Sequence, residues 1–250
     1  MTEKEMFNFI NEQNQQGTGF SINEKERGLT NVFSALMRKV YVWMTLALVI
    51  TGVTAYGVAS SPTLLMTIMS NRILFWGLII AEFGLVFAIS GAINKLSLST
   101  ATLLFIIYSV INGAMLSSIF IIYQPMVIAK VFFITAGTFG AMAFYGYSTK
   151  KDLTSFGKIL FMALIGLIIA TVVNFFLKSP GFDYILSYIG VAIFIGLTAW
   201  DSQKIKQMLQ TQYDMSEGAQ KIALLGALTL YLDFINLFLY LLRIFGNNKD

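Results

Sequence analysis

The sequence predicts an all-α, polytopic membrane protein of seven transmembrane helices, six of them packed around a central C-terminal helix. Three observations carry this. The chain of 250 residues is 56% hydrophobic and 12% charged, about half the charge of a soluble domain, so it lacks the polar surface to cover a water-soluble core. Its apolar residues fall in several runs of about 20, the length of a helix that crosses a bilayer, and not in the alternating ten-residue strands of a β-barrel. The last run, from about Ile222 to Leu242, carries a polar stripe. Gly226, Thr229, Asp233, Asn236 and Tyr240 are three or four residues apart and share one helical face. That face must look onto protein or water, which places this helix at the centre of the bundle.

Residues 1–37 are polar and rich in Asn and Gln, and they read as a mobile cytoplasmic tail. Within it, the amphipathic turn around Phe7-Asn8-Phe9-Ile10 is suited to resting on a membrane surface. No cleavable signal peptide is expected, because the first apolar run follows a long tail and exceeds a signal core. The membrane domain is expected over residues 38–246, and 247–250 form a short tail. Span 1 runs from about Val40 to Ala59, preceded by Arg38-Lys39. Span 2 runs from about Ile73 to Ile93 and contains Glu82; span 3, about Ala101 to Tyr123, has Tyr108 and Asn112 one turn apart. Span 4, about Met126 to Tyr145, follows Pro125. Its Ala136/Gly140 and Gly137/Ala141 pairs are small residues four apart that permit close helix packing. Span 5 runs from about Ile159 to Leu177, and Ser179-Pro180-Gly181 breaks the chain. Span 6, about Ile185 to Trp200, reaches Asp201 and is expected to continue past the membrane as an amphipathic helix through Leu209. Span 7 is the polar-striped run.

The formal charge of +4 does not suggest nucleic-acid binding, since the basic residues sit in loops and near helix ends. With the N-terminus inside, twelve of the 17 Lys and Arg residues fall on the inner side, so the positive-inside rule puts the N-terminus in the cytoplasm and the C-terminus outside. The absence of Cys excludes a disulfide framework, thiol catalysis and thiolate metal sites. The absence of His removes imidazole ligands and the usual general base, so any proton sensing near neutrality falls to carboxylates in perturbed surroundings.

Ten of the 13 acidic residues lie in tails or loops, which leaves Glu82, Asp201 and Asp233. Asp233 lies about eleven residues into span 7, roughly 16 Å at a rise of 1.5 Å per residue. An ionised group at such depth costs from a few to more than about ten kcal/mol unless paired, hydrated or neutralised, and by default marks a functional site. Spans 6 and 7 are consecutive and antiparallel, so Asp201 and Asp233 meet if the span 6 helix stays buried past Trp200. Two carboxylates within hydrogen-bonding reach cannot both ionise cheaply, and they share a proton. Protonated, the pair latches two helices; deprotonated, it repels itself and offers oxygen ligands to a hard cation such as Ca²⁺. Asp201 also reads as a helix-end residue pairing with Lys204 one turn on. Glu82 reads equally as a gate, a cation ligand or a helix-packing residue, and Tyr108 and Asn112 as interhelical hydrogen-bonding groups.

Leu230-Tyr231-Leu232-Asp233-Phe234-Ile235-Asn236-Leu237-Phe238, followed by Leu241-Leu242-Arg243, and Asp201-Ser202-Gln203-Lys204-Ile205 at the end of span 6 carry a resemblance. Over roughly residues 38–246 the chain resembles the transmembrane Bax-inhibitor-motif family, and its bacterial calcium-leak branch in particular. The resemblance implies six helices around a seventh and a pH-sensitive Ca²⁺ leak gated by a di-aspartyl pair, matched here by Asp201 and Asp233. It also implies an acidic pore residue, matched by Glu82. Some members latch the aspartates with an Arg after that Glu. Ile93 stands at the equivalent position here, and Lys95, a flexible point charge in place of a planar fork, is the candidate latch. Asn112, Asn236, Tyr240 and Arg243 form the supporting polar set.

The expected function is a passive Ca²⁺ leak of the bacterial cytoplasmic membrane, gated by protonation of Asp201 and Asp233, which are also the possible Ca²⁺ ligands. The expected contacts are lipid, protons and Ca²⁺, with no cofactor and no nucleic acid, and the protein is not expected to be an enzyme. The alternative is a regulator that binds another membrane protein, such as a membrane protease. A proton-coupled transporter ranks below both, as no inverted repeat is visible.

Overall fold

A computed structural model describes residues 2–246, with the backbone alone for residue 3 and residues 7–26. Seven helices are long and apolar enough to cross a membrane, and no strand occurs among the described residues. Helix α1 (Glu3–Ala59) contains span 1; α2 (Pro62–Ser70) is short and follows it; α3 (Arg72–Ala92) is span 2. Span 3 is built from α4 (Leu98–Leu116) and α5 (Ile119–Ile122); α6 (Pro125–Ser148), α7 (Thr154–Leu177), α8 (Pro180–Gln210) and α9 (Glu217–Phe245) are spans 4 to 7.

Local chemistry sets the ends. Pro62, Pro125 and Pro180 each open a helix, where the missing N–H would have had no partner. Asn71 caps α3 by accepting from the backbone N–H groups of Ile73 and Leu74, both at 3.1 Å. The break between α4 and α5 falls at Ser117 and Ser118, whose hydroxyls donate to the carbonyls of Ala114 at 2.6 Å and Met115 at 3.0 Å. Inside a bilayer a broken helix survives only where such groups re-satisfy the freed carbonyls.

The stretch expected as a tail is helical backbone continuous with span 1. The packed part of α1 reaches back to Val32 and Phe33, with Leu36 and Met37 buried and Phe33 stacked on Tyr147 of α6. The side chains of the Phe7–Ile10 turn and the tail at 247–250 lie outside the described residues.

Helix α9 is the centre. In its most apolar stretch 67% of residues are buried, against 6% in α3, and it packs on α8, α1, α6 and α4. Leu224, Leu230, Tyr231 and Leu237 are wholly enclosed. The outward faces of α3 and α7 carry Phe83, Phe87, Phe175 and Phe176, which suit lipid.

The close crossings are not where the small-residue pairs of span 4 pointed. A Cβ built on Gly137 or Gly140 meets nothing within 4 Å, whereas one on Gly146 would lie 2.0 Å from the carbonyl oxygen of Ala199 in α8. Small spacing permits close packing without requiring it, and the contact goes to the residue that faces a neighbour's backbone. Ala136 and Gly140 instead line an open groove of about 650 Å³ between α1 and α6. Gly146→Ala should therefore lower stability in detergent by roughly 1–3 kcal/mol, the usual cost of overpacking, while Gly140→Ala should leave the thermal midpoint unchanged or raised. Thermal unfolding of the two variants side by side checks this.

Candidate functional site

Helices α8 and α9 run antiparallel, and two glycines fix their register. Gly190 faces the Tyr240 ring, where a Cβ would sit 2.8 Å from the ring carbons, and Gly226 faces Ile205, at 3.0 Å. Between these two contacts the carboxylates of Asp201 and Asp233 come within hydrogen-bonding reach of each other. Asp201 is 8% exposed and Asp233 4%, so neither is hydrated in bulk. Helix α8 stays buried past Trp200, at Ser202, Gln203, Ile205 and Leu209.

That buried continuation is pinned from the side. Gln203 Oε1 accepts from Leu153 N at 2.8 Å, and its Nε2 donates to Lys151 O at 2.7 Å, clasping the loop between α6 and α7. Lys206 Nζ donates to Tyr147 O at 2.7 Å and lies over the Tyr147 ring. The stretch from Asp201 to Lys206 thus divides its work: Asp201 and Ile205 face α9, while Gln203 and Lys206 hold the helix that aims them. Gln203 entered the sequence reading only as part of the span 6 motif, and neither it nor Lys206 was given a role there, since no pattern marks either as buried.

Treated as two carboxylates, the pair is short of donors. Asp233 Oδ2 is buried with no hydrogen-bond partner. Lys204 does not supply one: its ammonium sits 5.1 Å above the Trp200 ring, and no ion pair within 4 Å joins it to Asp201 among the described residues. A single proton between the aspartates supplies a donor that two carboxylates lack, and it removes one of two charges from an apolar setting. The pair borders a cavity of about 430 Å³ between α7, α8 and α9. Thr229, Asn236 and Tyr240 of the α9 stripe line it, opposite Phe161, Leu164 and Ile168 of α7. Asn236 Nδ2 donates to its own helix at Leu232 O, 2.8 Å. Tyr240 stacks on Phe194, and the Arg243 guanidinium lies 5.7 Å from the Tyr240 ring.

Glu82 does not join this pair. Its Oε1 accepts from Asn112 Nδ2 at 3.1 Å, and Asn112 Oδ1 accepts from the Tyr231 hydroxyl at 3.0 Å. The Tyr231 hydroxyl is also 2.7 Å from Thr51 Oγ1, which in turn is 2.9 Å from Ser109 O. Tyr231 and Asp233, two residues apart, project to nearly opposite sides of α9. The acids therefore form two clusters, one on each face of the central helix. Lys95 is exposed in the turn after α3, and no hydrogen bond or ion pair joins it to either aspartate among the described residues. Thr51 and Tyr231 were missed from sequence. The available signal was a tyrosine deep in an apolar helix, whose hydroxyl must find a partner when buried.

The family described as Inhibitor of apoptosis-promoting Bax1 has a sequence model that matches residues 33–250. The chain belongs to this family. Among its relatives in the Bax inhibitor family, the inner membrane protein YbhL of Escherichia coli K12 is 51% identical over 215 residues, covering 85% of this chain and 92% of the relative. An uncharacterized protein of Borreliella burgdorferi is 48% identical over 214 residues, covering 86% of this chain and 92% of its own. An uncharacterized membrane protein of Streptococcus pyogenes serotype M6 is 41% identical over 185 residues, covering 74% and 80%.

Within this Bax inhibitor family member, no group of three or more His, Cys, Asp or Glu side chains stands together as a metal site among the described residues. Ca²⁺ takes about 6–8 oxygen ligands; two carboxylates and nearby amide and hydroxyl oxygens would leave much of that shell to water. The arrangement is suited to exchanging a proton, and to brief contact with a hydrated cation. Raising the pH should take the shared proton and set two like charges against each other. Nitroxide labels on cysteines placed at the exposed Tyr188 and Phe245, in a chain with no other cysteine, should separate by about 1–2 Å, the scale of interface helix shifts. Dipolar broadening from acid to alkaline pH measures this, and the separation should be constant in an Asp201→Asn/Asp233→Asn double variant.

Proposed function

We propose that the protein is a passive, proton-regulated cation leak of a bacterial inner membrane, with Ca²⁺ as the permeant ion and no catalytic step. The observation that carries this reading is the contact of Asp201 and Asp233 beside a cavity of about 430 Å³, in an otherwise apolar bundle. With a proton between them, the aspartates hold α8 to α9. Without it, they repel and present oxygens to a hard cation. Proton and cation then compete for the same atoms, and acid pH favours the latched state.

Conduction needs binding favourable enough to admit an ion and weak enough to release it. A pair that under-coordinates Ca²⁺ meets both demands, and it suits passage more than storage. The assignment to an inner membrane rests on the name of the Escherichia coli relative and on the seven apolar helices. The N-terminus is assigned to the cytoplasm because twelve of the 17 basic residues then lie inside. This puts Asp201 towards the cytoplasmic end of its span. A C-terminal reporter that is active only outside the cytoplasm should be active.

Phosphatidylglycerol-containing vesicles with the purified protein should pass Ca²⁺ down its gradient, faster as pH rises across the range where the pair loses its proton. Asp233→Asn and Asp201→Asn should each flatten that pH dependence. Wild-type pH dependence in both variants would remove the mechanism.

A further inference from the structure

The second polar cluster can be read by counting protons. Four contacts run in series: Ser109 O to Thr51 Oγ1 at 2.9 Å, Thr51 Oγ1 to Tyr231 Oη at 2.7 Å, Tyr231 Oη to Asn112 at 3.0 Å, and Asn112 to Glu82 at 3.1 Å. Each contact needs one proton, carried by one of its two atoms. Thr51 and Tyr231 bring one each. The Asn112 amide serves one side with its NH₂ and the other with its oxygen, so it brings one to the series. Ser109 O brings none. With Glu82 ionised, three protons serve four contacts, and no added water changes the count, because each contact is direct.

One more proton closes the series, and Glu82 is the group able to bring it. As a neutral acid, Glu82 donates to the Asn112 oxygen, the amide being turned over, an exchange of near-identical shapes. The Asn112 NH₂ donates to Tyr231, Tyr231 to Thr51, and Thr51 to Ser109 O. All four contacts are then made, in one direction.

The surroundings favour the same state. Glu82 lies ten residues into α3, roughly 15 Å at 1.5 Å per residue, at a depth where a lone carboxylate is costly. The titratable groups that face it are the phenols of Tyr108 on α4 and Tyr231 on α9. No Lys, Arg or second carboxylate among the described residues acts on it, and α2, packed at the start of α3, holds no titratable residue. The relay cannot easily swing aside. Tyr231 is fully buried, with Phe105 and Tyr108 edge-on at 5.7 Å each. At the far end, a Cβ on Gly113 would lie 2.5 Å from Thr51 O, so α1 and α4 cross there in direct backbone contact.

We propose that Glu82 is a proton-binding site, held as the neutral acid by the Thr51–Tyr231–Asn112 relay, and not a standing cation ligand in this arrangement. Loss of that proton reverses the Asn112 end of the relay and leaves one of the two Thr51 contacts, to Ser109 O or to Tyr231, without a hydrogen, beside the point where α1 and α4 cross. Thr51, Tyr231 and Asn112 are positioning residues. The assignment does not depend on ion passage, because its test reads the acid itself.

The test is infrared difference spectroscopy of the full chain in phosphatidylglycerol vesicles during a pH titration, with the Glu82 carboxylic-acid carbonyl band identified by its loss in Glu82→Gln. Thr51→Val removes two contacts and one proton, leaving two contacts and two protons, so ionised Glu82 no longer leaves a gap. The midpoint of Glu82 proton loss should fall by about half a pH unit to one unit, the worth of one net hydrogen bond. Thr51→Ser keeps the hydroxyl and should restore the wild-type midpoint. Tyr231→Phe also leaves two contacts and two protons, and it should repeat the Thr51→Val shift if that variant does not fold. A chain with no Glu82 acid band at any pH where it stays folded would overturn the proposal. So would a midpoint that is unmoved, or moved upward, in Thr51→Val or, where that variant does not fold, in Tyr231→Phe.

Discussion

A polar side chain at mid-depth in a bilayer has no water to turn to, so the fold must bring it another polar side chain. That requirement organises this bundle around α9. On one side Asp233 meets Asp201 of α8; on the other, Tyr231 meets Thr51 of α1 and Asn112 of α4. The two residues are two apart and therefore point nearly opposite ways. Turning α9 by one residue, about 100°, would carry both groups off their partners at once. Apolar packing against Leu224, Leu230 and Leu237 can tolerate small slips; the two polar contacts cannot. They fix the rotation and the register of the central helix, and the glycines at 190 and 226 let α8 come close enough to be held.

Much of this was legible in the sequence because the bilayer imposes it. Spans show themselves by length and composition, and the central position of α9 followed from a polar stripe that lipid would not accept. Asp201 and Asp233 sit on consecutive antiparallel helices, so one depth estimate was enough to set them opposite each other. What stayed hidden depends on facing and not on spacing. Gly137 and Gly140 have the pattern of a packing surface yet face open space, while Gly146 has no small partner four residues away and makes the close crossing. The pairing of Glu82 with Asn112 joins α3 to α4, and the pairing of Thr51 with Tyr231 joins residues 180 apart in the chain. No local pattern encodes a contact between helices whose order around the centre is not yet known. The helical backbone before Arg38 was likewise not visible, because that stretch lacks an apolar period strong enough to announce it.

The lack of His and Cys bears on why the acids are where they are. An exposed carboxylate has an ordinary pKa near 4 and is ionised throughout the physiological range, so it senses nothing there. A protein that responds to protons with Asp and Glu alone must take them out of water, and must also stop them from collapsing onto a Lys or Arg. In this bundle the basic side chains near the pair are kept otherwise engaged: Lys204 over Trp200, and Lys206 on Tyr147 O. The hydrogen bonds of the acids then come from neutral donors or from each other, with Lys204 acting on Asp201 only through its field. Each cluster then has one position that a proton would fill and that no other described group fills. Helix α9 carries a partner for both, and it is the most enclosed span. A proton gained or lost on either face therefore changes the contacts of the same central helix, and no separate pathway through the surrounding six is required for the two faces to influence one another.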